Sequence, residues 1–205
     1  MNRDRVLDGA SGALWASIAG GIALVAIALF FWIGQPFGTI NDIALLVMTL
    51  SLGPVMLAHY ELGGIVPLWP ARLSLSGAVA AVLAWSLIQA AMIVGIVTFD
   101  YELAATGAFA ISSLLQVVIG LWVAGASLLA GRWLPFAVRL FGIVAGAGTV
   151  VMSIGLLGGL NHPMTYLGGI GYQVVLPIWA YLLGRVFRTR AAMAGSTAGI
   201  AELSA

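Results

Sequence analysis

Apolar residues fall in six blocks of about 18–25 residues, the length a helix needs to cross a bilayer at 1.5 Å per residue. They predict spanning helices over 13–33, 42–59, 74–98, 108–130, 137–158 and 165–187. The second block is the shortest, and Pro54 interrupts it. The connections, over 34–41, 60–73, 99–107, 131–136 and 159–164, are short and leave nothing for a soluble domain. Arg3 and Arg5 precede the first block, which lacks a small-residue cleavage site and is longer than a signal-peptide core. It is read as a retained helix. The small, weakly polar run after Arg190 predicts a disordered tail over 191–205, leaving 1–190 as a single domain.

Composition sharpens this reading. Of the 205 residues, 62% are hydrophobic and 7% charged, against roughly 25% charged in a soluble domain. Mean hydropathy is +1.11. A soluble enzyme and a nucleic-acid binder are excluded, since nothing could cover a water-facing surface or grip a phosphate backbone. With 0 Cys there are no disulfides, thiolate nucleophiles or thiolate-held metals. All eight basic residues are Arg, so lysine Schiff-base and P-loop chemistry are absent too.

The arginines orient the bundle. Arg3, Arg5, Arg72, Arg132, Arg139, Arg185, Arg188 and Arg190 all fall on one side if six helices alternate. The opposite connections carry Asp42, Asp100 and Glu102 and no Arg. The positive-inside rule then places both termini in the cytoplasm, in a multi-pass protein of the cytoplasmic membrane. Trp15, Trp69 and Trp133 fall near the inner interface, and Trp32, Tyr101 and Tyr166 near the outer one, where amphipathic rings settle.

Association in lipid relies on close approach of small residues. The fifth block has two small-xxx-small pairs, Gly142–Gly146 and Gly155–Gly159, with Gly148 and Gly158 besides. It is expected near the centre of the bundle. Pro54 and Pro177 lie inside the second and sixth blocks, where each removes a donor from the carbonyl four residues earlier, that of Leu50 or Gln173. Helix kinks are expected there.

The expected helix interiors hold no ionisable residue, since Asp42, His59 and Arg139 sit at block ends. That argues against proton pumping and most intramembrane hydrolysis. Uncharged polar residues do form a layer. Ser51, Gln89, Gln116, Thr149 and Gln173 each lie about eight or nine residues in from the outer end, or about 12–13 Å. Trp85, Trp122 and Trp179 form a deeper layer. Gln116-Val-Val followed by Trp122 echoes Gln173-Val-Val followed by Trp179. Two roles fit these residues. One is a pocket in the outer half for a small, mostly apolar ligand with one or two polar groups. The other is interhelical hydrogen bonding among the amides, hydroxyls and indole N–H groups.

His59 and His162 fall on opposite sides of the membrane, roughly 30 Å apart, and cannot share a metal or a haem. His59 with Glu61 is the weak metal-ligand alternative, against a surface pair of Glu61 with Arg72. Asn161-His162-Pro163 reads as a turn. Gly-x-Ser-x-Gly, His-Glu-x-x-His and paired Asp-rich motifs are absent.

In the second half, Gly131-Arg-Trp-Leu-Pro135 precedes Arg139-Leu-Phe-Gly142. Gly168-Gly169, Val175-Leu-Pro177-Ile-Trp179 and Leu183-Gly-Arg185 follow. Over about 131–188 this resembles a broad group of small bacterial multi-pass membrane proteins of unknown function. The resemblance implies a compact helical bundle and carries over no catalytic residue. The expectation is therefore an all-α, polytopic six-helix bundle. It is non-enzymatic and without a cofactor, an accessory or binding protein partnered by the lipid bilayer and a small apolar ligand. A small-solute permease and a structural subunit, in a homo-oligomer or a larger membrane complex, are the alternatives.

Overall fold

The computed structural model describes residues 2–63, 69–97, 107–159 and 161–203, of which 196–203 by backbone alone. Every regular element among them is helical. The helices are α1 (Arg3–Ile33), α2 (Phe37–Leu62), α3 (Trp69–Ile93), α4 (Gly107–Leu129), α5 (Phe136–Leu157), α6 (Pro163–Ile170) and α7 (Leu176–Leu203). A π turn over Gly171–Val175 joins α6 to α7, so the last three elements form one span. Six helices are long and apolar enough to cross a membrane. Their outward faces carry exposed Leu83, Leu87, Leu114, Leu121 and Ile154.

Several ends differ from the hydropathy pattern, and polar capping accounts for the starts of α1 and α6. α1 begins ten residues before position 13. Asn2 accepts hydrogen bonds from the N–H groups of Asp4 and Arg5 at 3.1 and 3.3 Å, and Asp4 lies in the positive first turn. α2 gains a turn at each end, which takes Asp42 and His59 inside a helix rather than leaving them at its ends. α6 starts on His162, whose Nδ1 accepts from the Met164 N–H at 3.3 Å with Pro163 in the first turn. α7 runs on to Leu203 where a disordered tail was expected, through an alanine-rich stretch that favours helix. Thr98, Asp100, Tyr101 and Glu102 lie outside the described residues.

Neighbours in sequence are neighbours in space. Each span packs on the next, and α7 closes the ring against α1. The most buried span is the sixth, and Trp179, Leu183 and Phe187 are fully enclosed. The expectation that the fifth span is central therefore holds only in part. α5 packs on α4 along one face and on the sixth span along another. A Cβ at Gly142 or Gly146 would strike Ser127 or Ala124 of α4, and one at Gly148 or Gly155 would strike Gly171 or Thr165. Gly159 does not join the second pair. It lies beyond α5 at φ 110°, where only glycine is at ease.

The densest small-residue face belongs to α1. Its buried positions are Val6 and then only Gly and Ala. Both interior prolines bear on it: Gly12 lies against Pro54 of α2, and Gly20 against Pro177 of α7. α2 runs unbroken through Pro54. Before Pro177 the helix widens instead, and the Leu176 N–H reaches back five residues to the Gly171 carbonyl. A helix missing one donor accommodates the loss by such a bulge.

At the arginine end, Arg5 pairs with Glu61 at 2.7 Å, so Glu61 faces Arg5 and not Arg72. Arg139 donates to the carbonyls of Ser127, Leu128 and Gly131, capping the negative end of α4. Arg190 donates to the Trp133 carbonyl at 3.0 Å.

Candidate functional site

The other end of the ring is hollow. A cavity of about 620 Å³ opens among all six spans. α1 contributes Leu24, Ile27 and Phe31 from its C-terminal turns, and α2 contributes Asp42 and Leu45. α3 brings Trp85, Gln89 and Met92. α4 brings Phe109, Ser112, Ser113 and Gln116. Met152 and Leu156 come from α5, and Thr165, Tyr166 and Gly169 from α6. The π turn presents Tyr172, Gln173 and Val174, three consecutive residues that all line the space. A π turn offers that geometry because it carries an extra residue per turn.

Of the eight residues expected to form the polar and tryptophan layers, four line this cavity: Gln89, Gln116, Gln173 and Trp85. Their surroundings differ. Gln116 accepts a long bond of 3.4 Å from Ser153 of α5. The Gln89 Oε1 and the Ser112 hydroxyl are buried with no partner among the described residues. The amide of Gln173 is half-buried on the cavity wall. Amide-to-amide bonding across the bundle is not seen among the described residues. The cavity wall therefore presents amide and hydroxyl groups that the protein leaves open.

The other four lie elsewhere. Ser51 turns its hydroxyl back to the Val47 carbonyl at 2.7 Å, and its own carbonyl lies against Gly12. Thr149 donates to the Ala145 carbonyl at 2.8 Å and faces Gly120. Trp122 lies edge-on to His59, with ring centroids 5.6 Å apart. Trp179 is wholly enclosed beside Gly142 and Ser127. Equal depth does not mean a shared direction, since each helix turns by about 100° per residue. Trp85 instead pairs with Tyr172, at 6.2 Å between centroids.

His59 is 2% exposed, with its ring set between those of Trp122 and Trp133. It packs inside the bundle rather than on its surface. Glu61, its suggested co-ligand, is held by Arg5. Among the described residues no three His, Asp or Glu side chains gather. His162 is a helix cap and leaves its turn with Asn161, which accepts from the Tyr166 hydroxyl at 3.1 Å.

Sequence reasoning missed Asp42, Ser112, Ser113, Tyr166 and Tyr172 as cavity residues. Ser112 and Ser113 stand one turn from Gln116, and that spacing was the available signal. Comparison of the chain with models of protein families, with curated proteins and with solved structures finds no match.

Proposed function

We propose that this chain is a multi-pass protein of the cytoplasmic membrane that binds a small, mostly apolar ligand in the outer half of its bundle. The arginine bias supports the orientation, with both termini in the cytoplasm. The apolar outer surface supports burial in lipid, since a water-soluble monomer rarely exposes so much of it. One observation carries the binding reading: a cavity of about 620 Å³, lined by every span, in which apolar walls surround a few unpaired polar groups. Ligand pockets share that size and that make-up. The make-up of the wall, with serines beside amides and aromatic rings, supports binding as the role.

A second reading, a permease, draws on the sixth span. Its π turn and Pro177 interrupt the helix where it meets the cavity. Transporters place broken helices at their substrate sites.

Native mass spectrometry of the protein in mild detergent tests the binding reading. The expected result is one non-lipid small molecule per chain. Gly169 lines the cavity, and a Cβ there meets only open space. Gly169→Phe should therefore fill the cavity and abolish the adduct while the protein stays folded. An adduct that survives Gly169→Phe would place the ligand elsewhere, and a bare wild-type chain would leave the polar groups as helix packing alone.

A further inference from the structure

We infer that the cavity is selective for an organic cation, an ammonium or phosphonium group carried on an apolar body, with Asp42 as its counter-charge. This rests on the binding reading above and names the ligand class. Asp42 is the one ionisable acid or base with a low-pH or neutral-pH charge change among the described cavity residues, and it lies on the second turn of α2. Among the described residues its carboxylate receives the neighbouring Asn41 amide, at 3.3 Å. No arginine reaches it, because the chain's eight basic residues gather at the opposite end of the bundle. A carboxylate half-withdrawn from water in an apolar chamber attracts an opposite charge far more strongly than one in bulk solvent.

The rest of the wall suits the same guest. Phe31, Trp85, Phe109, Tyr166 and Tyr172 offer aromatic rings, and Met92 a polarizable thioether. Ring faces attract cations, most strongly where water is excluded. The glutamine and serine oxygens add neutral acceptors. An anionic ligand would meet a carboxylate and ring faces, with no basic side chain among the described lining residues.

The test uses the full chain in nanodiscs and two probes of similar shape, methyltriphenylphosphonium and the neutral triphenylphosphine oxide, with affinities from calorimetry. The cation should bind at least about tenfold more tightly than the oxide. Asp42→Asn should erase that preference, while Asp42→Glu, which keeps the charge, should retain it. If both probes bind wild type alike, or if Asp42→Asn keeps the preference, cation selectivity is wrong while the cavity still binds. If neither probe binds wild type, the binding reading and the inference fall together.

Discussion

Gln89 sits 8% exposed, with an amide oxygen that nothing in the described protein satisfies. A buried polar atom left unpaired costs about 1–3 kcal/mol. A fold keeps such a cost where function uses the group. Gln89→Leu should therefore hold or raise the melting temperature while weakening the bound ligand. Thermal unfolding in detergent, followed alongside ligand retention, checks this. A large fall in stability would show that Gln89 is a packing residue. Ser51 and Thr149 lie at the same depth but satisfy their hydroxyls on their own helices. Depth along a helix is legible from residue number. Direction around it depends on which face meets a neighbour, and that was not legible. Hence the three glutamines and Trp85 line the cavity, while Trp122 and Trp179, placed at the same depth as Trp85, face elsewhere.

Helices in this bundle meet through notches as much as through side chains. Gly168 and Gly169 are adjacent, yet they face opposite conditions. A Cβ at Gly168 would enter the backbone of Met152, and one at Gly169 would meet nothing. Gly168→Ala should destabilise the protein by about 1–3 kcal/mol or more, as overpacking does. Gly169→Ala should be neutral or stabilising, since alanine favours helix by about 1 kcal/mol over glycine. Comparing the two melting curves checks the α5–α6 contact without a ligand. The glycines of α5 were legible because they recur at four-residue spacing. Those of α1 were not, because its small face is built from Ala as well as Gly, and alanine is unremarkable in any helix. The π turn before Pro177 was half legible: the sequence marks the missing donor, and packing decides how the backbone absorbs it.

Across the whole molecule, one end is held by Arg5–Glu61, the Arg139 cap on α4 and a solid core, and the other encloses a chamber. The six spans were legible because hydropathy and charge alternation are independent signals of the same topology. The chamber was only partly legible, since half of its polar wall comes from short side chains beside longer ones. The proposed ligand chamber lies in the outer half of the bundle. The chain has 0 Cys, so a single introduced thiol reports without background. In intact cells, a membrane-impermeant cationic thiosulfonate should modify Gln173→Cys, on the chamber wall. It should leave Ala192→Cys, exposed on α7 at the arginine end, untouched until the cells are permeabilised. The reverse pattern, or a Gln173→Cys thiol that stays unreactive from both sides, would contradict the account.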